Sequence, residues 1–126
     1  MQGIGEPFEI EDVDRPSAED HGVVIDVEAC GICRSDWHAW RGDWEWIGVM
    51  PQPGLVFGHE PVGTVVEVGE NVDRFSVGDR VTNPFNLGCG SCHHCRDGRG
   101  NICERSVPMG FVPFQTGAFA EDYSVR

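Results

Sequence analysis

The feature that most constrains the fold is the segment CGSCHHCRDGRGNIC, which begins at Cys89, ends at Cys103 and holds four of the six cysteines. Ile102 is its only large aliphatic side chain, so burial of apolar surface cannot offset the conformational entropy that ordering the segment costs. The spacing C-x2-C-x2-C-x7-C lets backbone turns aim four sulfur atoms at one point, as a tetrahedral Zn²⁺ site requires. The pattern therefore predicts a loop that a metal ion holds together through Cys89, Cys92, Cys95 and Cys103.

We expect the metal to be zinc and the site to be structural. Binding of structural zinc contributes on the order of 10 kcal/mol, and four thiolates close the coordination sphere to substrate. Three alternatives stay open: disulfides, which need an oxidising compartment, an iron–sulfur cluster, and replacement of one sulfur ligand by His93 or His94. Zinc on the four cysteines is favoured, because the chain shows no sign of export and the spacing differs from that of iron–sulfur proteins.

Short strands separated by Gly, Pro and Asp are the main pattern in the rest of the chain. In GVVIDVEA, Val23, Ile25 and Val27 alternate with other residues, which is typical of a half-buried strand. VGTVVEVGENV, VGDRVTNPF and GAFAEDYSVR repeat the pattern, and a turn is expected at residues 69–71. A short helix is expected over about residues 33–40. The predicted fold class is mainly β, a small barrel or sandwich.

The composition sets the class of protein and its partners. The 126 residues are 40% hydrophobic and 24% charged, as in a soluble protein of one domain. No apolar run approaches the ~20 residues that span a bilayer and no signal segment opens the chain, so we expect a cytoplasmic protein without a membrane partner. A net charge of −12 disfavours nucleic acid. All nine basic residues are Arg, and this Lys-free acidic composition resembles that of salt-loving organisms.

A second set of metal-binding side chains occurs in EACGICRSDWHAW and VFGHEPVG. Cys33, Asp36 and His38 lie close together in the first segment, and His59 adjoins Glu60 in the second. Cysteine and neutral histidine suit zinc, and an aspartate commonly orients a ligating histidine. The long gap between the segments makes this a weak signal, since a buried cysteine or a hydrogen-bonded histidine is the commoner outcome.

Three motifs in fixed order carry a family resemblance: CGICRSDWH, GHEPVGTVVEVGENVDRFSVGDRV and CGSCHHCRDGRGNIC. They resemble the amino-terminal catalytic domain of zinc-dependent medium-chain alcohol dehydrogenases, and the match covers nearly the whole chain. The resemblance implies that residues 1–126 form a GroES-like catalytic domain, a partly open β-barrel, with a structural-zinc lobe over about residues 86–105. We expect the parent enzyme to be a homo-oligomer.

The resemblance also implies roles for individual residues around a catalytic zinc ion. Cys33 and His59 match its ligands, and Glu60 matches a carboxylate that can approach or transiently replace a ligand. Asp36 matches the group that hydrogen-bonds the ligating histidine. Arg34 lies where family members often contact the pyrophosphate of the cofactor.

A proton relay is implied as well. Ser35 matches the hydroxyl that takes the proton of the substrate alcohol, and His38 matches the outer end of the relay. Zinc with an open position lowers the pKa of a bound alcohol so that an alkoxide forms, and hydride then passes to NAD or NADP. Alternatively, Ser35 or Asp36 simply caps a helical turn and His38 is a surface histidine.

Two further residue types have weaker expectations. Cys30 matches no family ligand and is expected to be a small buried hydrophobic residue. The resemblance suggests that Trp44 lines the substrate cleft, and we expect the other tryptophans to pack in the core. These are Trp37, Trp40 and Trp46.

Parts of the family pattern do not occur in the sequence. The third ligand of the catalytic zinc would lie beyond the last residue, and nothing resembles the Gly-rich fingerprint of a cofactor-binding Rossmann domain. We therefore expect the catalytic-domain portion of a zinc-dependent alcohol dehydrogenase that oxidises a small alcohol, with little turnover by the chain alone and a weakly held or absent catalytic zinc. The alternative is a non-catalytic, zinc-stabilised interaction module.

Overall fold

The computed structural model describes residues 1–111 and 116–125. Most of the regular structure in these residues is extended, so the predicted mainly β fold class is confirmed. The strands are β1 Val23–Cys30, β2 Pro61–Val68, β3 Arg80–Thr82, β4 Asn86–Leu87, β5 Val107–Pro108 and β6 Asp122–Val125. A four-stranded antiparallel sheet has the order β3–β2–β1–β6, and β4 and β5 form a separate two-stranded sheet. The larger sheet does not close on itself, as expected for a partly open barrel.

The expected helix near residue 33 is present, and the other helical segments are short. The helices are α1 Arg34–Trp40 and α2 His93–Arg96, with 3₁₀ helices at Glu45–Ile47 and Gly100–Ile102. Asp36 caps the start of α1, because its Oδ2 accepts a hydrogen bond of 3.0 Å from the Cys33 amide. Among the described residues, no helix has both the length and the apolar character needed to cross a membrane.

The pairing of β1 with β2 is the longest in the sheet and is irregular at two points. It runs from Val23 opposite Val68 to Cys30 opposite Pro61. Such bulges increase the local twist of a sheet. Gly63 lies opposite Val27 near one of them, where a Cβ atom would collide with the backbone of β1. The absence of a side chain there therefore lets the two strands approach.

The predicted face of β1 packs into the main hydrophobic cluster. Val23 and Ile25 are buried and Val27 packs at the edge of the cluster, as the alternation indicates. Val24 is also buried, although it lies on the other face. The chain before β1 is tied to the neighbouring strands by an ion pair from Arg15 to Asp122 and by a hydrogen bond from the Ala18 amide to Glu67, which is paired with Val24. The buried members of the cluster are Val23, Ile25, Val65, Met109, Ala118, Tyr123 and Val125.

The alternation predicted for GAFAEDYSVR is wrong over its first half. The alternation places Phe119 on the same face as Tyr123 and Val125, and Ala118 on the other, but Phe119 is 39% exposed and Ala118 is buried. The reason is that the amides of Ala118 and Phe119 donate hydrogen bonds to the carbonyls of Gly58 and Phe57 and not to β1. Contact with β1 begins at Glu121, whose carbonyl accepts a hydrogen bond from the Val27 amide, and continues in β6, where Tyr123 is buried.

A second hydrophobic cluster packs beneath α1. Ala39 is the buried residue of this helix that joins it, while Trp40 and Trp44 pack at its edge. The cluster connects the helix to the loop that precedes β2, and this loop carries His59. Its buried members are Met1, Ala39, Leu55, Phe57 and Phe111.

Candidate metal sites

The first candidate site combines one side chain from the start of α1 with two from the start of β2. Residues 31–33 follow the end of β1, where Cys30 pairs with Pro61, and the Gly31 amide donates a 3.0 Å hydrogen bond to the Glu60 carbonyl. This pairing brings together Cys33, His59 and Glu60, whose ligand atoms all lie within 4.8 Å of one another. A thiol, an imidazole and a carboxylate therefore converge although they are distant in the sequence.

The imidazole of His59 is held from both sides. The ring is 5% exposed, its Nδ1 lies 3.3 Å from Asp36 Oδ1, and its Nε2 lies 3.2 Å from the Ser35 hydroxyl. Nδ1 has no well-formed hydrogen bond among the described residues, so the aspartate is its neighbour without being an aligned acceptor. A carboxylate beside Nδ1 leaves Nε2 as the nitrogen that can bind a metal. The donor set thus fits a zinc ion.

Asp36 connects this site to the backbone as well. Besides the Cys33 amide, its carboxylate accepts a longer hydrogen bond of 3.4 Å from the Gly58 amide, through Oδ1. The sequence left open whether Asp36 caps a helix or orients a histidine. In the structure, Asp36 caps the helix through the Cys33 amide, and its carboxylate also faces His59.

Two phenylalanines flank His59, and the sequence analysis missed both. The ring centroids of Phe85 and Phe111 lie 5.0 and 5.1 Å from that of the imidazole. They come from loops before β4 and after β5, and neither the segment NPF nor MGF carries a periodic signal. An apolar wall of this kind excludes water and strengthens electrostatic interactions beside it.

The two residues assigned to the proton relay have different partners. Ser35 contacts His59, whereas His38 Nδ1 lies 2.8 Å from Asp43 Oδ2. Among the described residues, Ser35 and His38 share no hydrogen bond, and the His38 side chain is partly exposed. Asp43 was not singled out in the sequence, because a carboxylate just after a helix is commonplace on a protein surface.

Arg34 and the tryptophans lie around the exposed side of α1. The guanidinium groups of Arg34 and Arg41 lie 5.5 and 4.5 Å from the Trp37 ring centroid, within range of a cation–π interaction. The prediction of core packing is wrong for Trp37 and Trp46, which are 40% and 82% exposed. The second hydrophobic cluster accommodates only Trp40 and Trp44.

Cys30 lies close to expectation, while the assignment of Trp44 to the substrate cleft stays a prediction. Cys30 is half-buried against the main cluster, and burial raises the pKa of its thiol. Trp44 follows α1, and its ring centroid lies 5.7 Å from that of Phe111, one of the two rings that flank His59. A cavity of about 370 Å³ lies elsewhere, along Val23, Ile25 and Val125, and none of its lining residues belongs to the candidate site.

The second candidate site is the four-cysteine lobe. The Sγ atoms of its four cysteines lie within 4.8 Å of one another, and none of them forms a disulfide. Pairing of β4 with β5 closes the base of the lobe, while α2 follows Cys92 and a 3₁₀ helix precedes Cys103. His93 and His94 do not join the sulfur cluster but face Glu104.

Hydrogen bonds from nitrogen to sulfur surround the cluster. The amide of Cys92 donates to Cys89 Sγ at 3.4 Å, and the amide of Arg105 donates to Cys103 Sγ at 3.3 Å. The Arg105 guanidinium also donates to Cys89 Sγ at 3.3 Å and to the Ser91 hydroxyl at 2.7 Å. These donors offset the negative charge that a cluster of thiolates would accumulate.

The pKa values of the thiols in the lobe differ widely, and a bound cation would favour the thiolate form of all four. Hydrogen bonding to the backbone and hydroxyl of Ser91 lowers the pKa of Cys89 to about 5. Burial and the neighbouring Cys92 raise the pKa of Cys95 to about 12. Four adjacent sulfur atoms cannot all carry negative charge unless a cation lies among them, so the donor set fits a zinc ion.

Comparisons with known proteins give a consistent result. The alcohol dehydrogenase GroES-like domain family matches residues 19–126. An alcohol dehydrogenase from Geobacillus stearothermophilus is 41% identical over 115 residues, which are 90% of this chain and 32% of that protein. The chain thus spans about a third of the length of this relative.

Solved structures agree with the sequence comparison. The alcohol dehydrogenase of Aeropyrum pernix superposes with a TM-score of 0.85 at 31% identity, over 99% of this chain and 36% of that one. The CAD of Helicobacter pylori, complexed with NADP(H), gives a TM-score of 0.83 at 26% identity, over 99% and 37%. Both likenesses extend over nearly every residue of the present chain.

Proposed function

The chain belongs to the alcohol dehydrogenase GroES-like domain family, and from this premise we propose that it is the catalytic-domain portion of a zinc-dependent alcohol dehydrogenase. The reaction is oxidation of a small alcohol by hydride transfer to NAD or NADP, the cofactor class of the Helicobacter pylori neighbour. The observation that carries the proposal is the convergence of Cys33, His59 and Glu60 beside a buried aspartate. The alternative of a non-catalytic interaction module is not favoured, because such a module has no need of this arrangement.

The three donors of the first candidate site would hold a catalytic zinc ion. Cys33 supplies a thiolate, His59 supplies Nε2, and the exposed Glu60 supplies a carboxylate that can move toward the metal or away from it. Because Glu60 only approaches the metal, Cys33 and His59 are the fixed ligands among these donors, and a position stays open for the substrate. When bound, zinc supplies a Lewis acid that makes the substrate hydroxyl more acidic.

The surrounding residues prepare the site. Asp36 fixes the orientation of the His59 ring through its position at Nδ1 and through its hydrogen bond to the helix backbone. Phe85 and Phe111 keep water from the buried side of the imidazole. Electrostatic interactions in the resulting dry pocket are stronger than they would be in water.

The proton of the substrate leaves through two side chains of α1. The Ser35 hydroxyl lies beside His59 Nε2, so it is adjacent to the position that the substrate hydroxyl would take. His38 donates from Nδ1 to Asp43, which leaves Nε2 as the nitrogen that accepts a proton, and its partial exposure gives a route to solvent. Relay from Ser35 to His38 requires a water molecule to connect them.

The cofactor would approach the exposed start of α1. Arg34 is the first residue of this helix, and its planar guanidinium suits the phosphate oxygens of a pyrophosphate. We propose that residues 1–126 are the GroES-like domain, with the lobe over residues 86–105 held by a structural zinc ion on Cys89, Cys92, Cys95 and Cys103.

The cellular setting follows from charge and cysteine chemistry. Six unpaired cysteines suit the reducing cytoplasm. The net charge of −12 without Lys suits a salt-rich habitat and disfavours nucleic acid and anionic membrane surfaces as partners. We propose a homo-oligomer for the parent enzyme, in which the large apolar side chains exposed here, such as Trp46, are covered.

The test is alcohol oxidation measured together with metal content, on the protein produced from its complete reading frame. Reduction of NAD⁺ or NADP⁺ by small alcohols is expected, and Cys33→Ser should lower the rate by at least about 1,000-fold. Cys30→Ser is the matched control, because this neighbouring cysteine has no assigned role and should leave the rate unchanged. Equal rates for Cys33→Ser and the parent protein would overturn the proposal.

A further inference from the structure

A third group of metal-binding side chains lies on the lobe, apart from both sites described above. It consists of His93, His94 and Glu104, whose ligand atoms lie within 4.8 Å of one another. We propose that this group is a separate, reversible binding site for a divalent transition-metal ion of the Zn²⁺, Ni²⁺ and Cu²⁺ class.

The distances suit a bridging cation better than hydrogen bonds. His93 Nδ1 and His94 Nε2 each lie 3.9 Å from Glu104 Oε1. This separation is too long for a hydrogen bond. Metal–ligand bonds of about 2.0–2.1 Å place tetrahedral ligand atoms roughly 3.4 Å apart, so the two distances to Glu104 need to shorten by only about half an ångström. The two imidazole rings, whose centroids lie 3.8 Å apart, must separate so that both nitrogens face the same ion.

The four-cysteine cluster builds this third group. His93 and His94 form the start of α2 between Cys92 and Cys95, and Glu104 directly follows Cys103. The Sγ atoms of Cys92 and Cys103 lie 3.8 Å apart, and this approach brings the carboxylate to the two imidazoles. The third site therefore rests on the structural zinc proposed above for the four cysteines.

The side chains determine the class of metal and the strength of binding. Two imidazoles favour Zn²⁺, Ni²⁺ and Cu²⁺ over Mg²⁺ and Ca²⁺, which prefer oxygen ligands. His94 Nδ1 is buried and has no partner among the described residues, so no acceptor orients the ring when Nε2 binds a metal. Loss of such an orienting partner typically weakens metal binding by about 10- to 100-fold. His93 and Glu104 are also exposed, so we expect a bound metal ion to exchange quickly with metal ions in solution.

The test is a calorimetric titration of the zinc-loaded chain with Ni²⁺, in a Cys33→Ser background that weakens the competing site. One Ni²⁺ ion should bind, and His93→Gln combined with His94→Gln should weaken its binding at least tenfold. Glu104→Gln should weaken it several-fold. His21→Gln, which changes an exposed histidine outside all three groups, is the matched control and should leave binding unchanged.

A second measurement locates the ion without relying on a variant. Substoichiometric Cu²⁺ added to the zinc-loaded chain should broaden the NMR signals of residues 93, 94 and 104 before those near residue 59. Removal of the lobe zinc by a chelator should abolish this selectivity. No Ni²⁺ binding in the Cys33→Ser background, or equal binding after both histidines are replaced, would overturn the proposal.

Discussion

The lobe and the first candidate site are held together in opposite ways. In residues 89–105 only Cys103 is buried, so no hydrophobic core holds the segment. Around Cys33 and His59, by contrast, the β1–β2 pairing and the second hydrophobic cluster position every donor. The proposed zinc of the lobe would therefore hold the fold of the lobe, whereas the fold around Cys33 and His59 would position the donors of the proposed catalytic zinc.

The largest expected effect follows from removing one ligand of the lobe. Cys95→Ser should release its zinc and unfold residues 89–105, because metal binding on the order of 10 kcal/mol is lost there. Hydrogen exchange measures this: amides of the lobe should lose protection while those of β1 and β2 keep theirs. Cys30→Ser is the control and should leave both regions protected. Protection of the lobe without metal would remove the distinction between the two regions.

The complementary change is Cys33→Ser, which should empty the first site without unfolding anything. The affinity of this site for Co²⁺, monitored by the visible absorption of the bound ion, should fall by more than about 100-fold. Loss of a ligand weakens metal binding more than loss of an orienting partner does. Hydrogen-exchange protection should stay as in the parent protein in both the sheet and the lobe. Unfolding of α1 in this variant would show that the first site also needs its metal for structure.

Asp36→Ala should sharpen the comparison, because Asp36 serves both the fold and the site. Loss of the hydrogen bonds to the Cys33 and Gly58 amides should reduce the free energy of unfolding by about 1–2 kcal/mol. Affinity for Co²⁺ should fall roughly 10- to 100-fold as His59 loses its orientation. Asp43→Ala, just beyond the same helix, is the control and should leave Co²⁺ affinity unaffected. An affinity unchanged in Asp36→Ala would contradict the orienting role.

The smallest expected effect concerns pH and belongs to the sheet alone. Tyr123 is buried and donates a hydrogen bond to Asn83, and burial raises the pKa of its phenol. The folded protein therefore retains the phenol proton at a pH where the unfolded chain loses it. The stabilisation is complete below about pH 10 and is lost above it, at no more than about 1.4 kcal/mol per pH unit.

Chemical denaturation between pH 9 and pH 11 measures this effect. Tyr123→Phe should show a smaller fall in the free energy of unfolding over that range than the parent protein. The lobe should not contribute to the difference, because it is identical in the two proteins. Identical pH profiles for the two proteins would show that the phenol is not responsible.

The two regions also differ in how far the sequence predicts them. The lobe is local, so the spacing of its cysteines was enough to predict which four sulfur atoms converge. The approach of Cys33 to His59 depends on strand pairing, and a resemblance to a family was needed to suggest it. The relay and cofactor roles of Ser35, His38 and Arg34 stay predictions.

What the sequence did not predict comes from contacts between loops. Phe85 and Phe111 come from the loops next to the paired strands β4 and β5, and both contact His59. No short motif marks such residues. The broken alternation at Phe119 has a similar cause, because its amide is satisfied by Phe57 in place of a strand partner. Periodicity predicted β1 well because its neighbours are strands on both sides.

The close contact of β1 with Gly63 has a consequence for how this protein tolerates mutation. A methyl group at this position would push the backbone of β1 away from β2. The displacement would be transmitted along the paired strands to the end near Cys33 and His59. It would change the distance between the thiol and the imidazole. A residue without any functional group therefore governs whether the reactive groups meet, and a screen for inactive variants should return substitutions at Gly63 alongside those of the ligands.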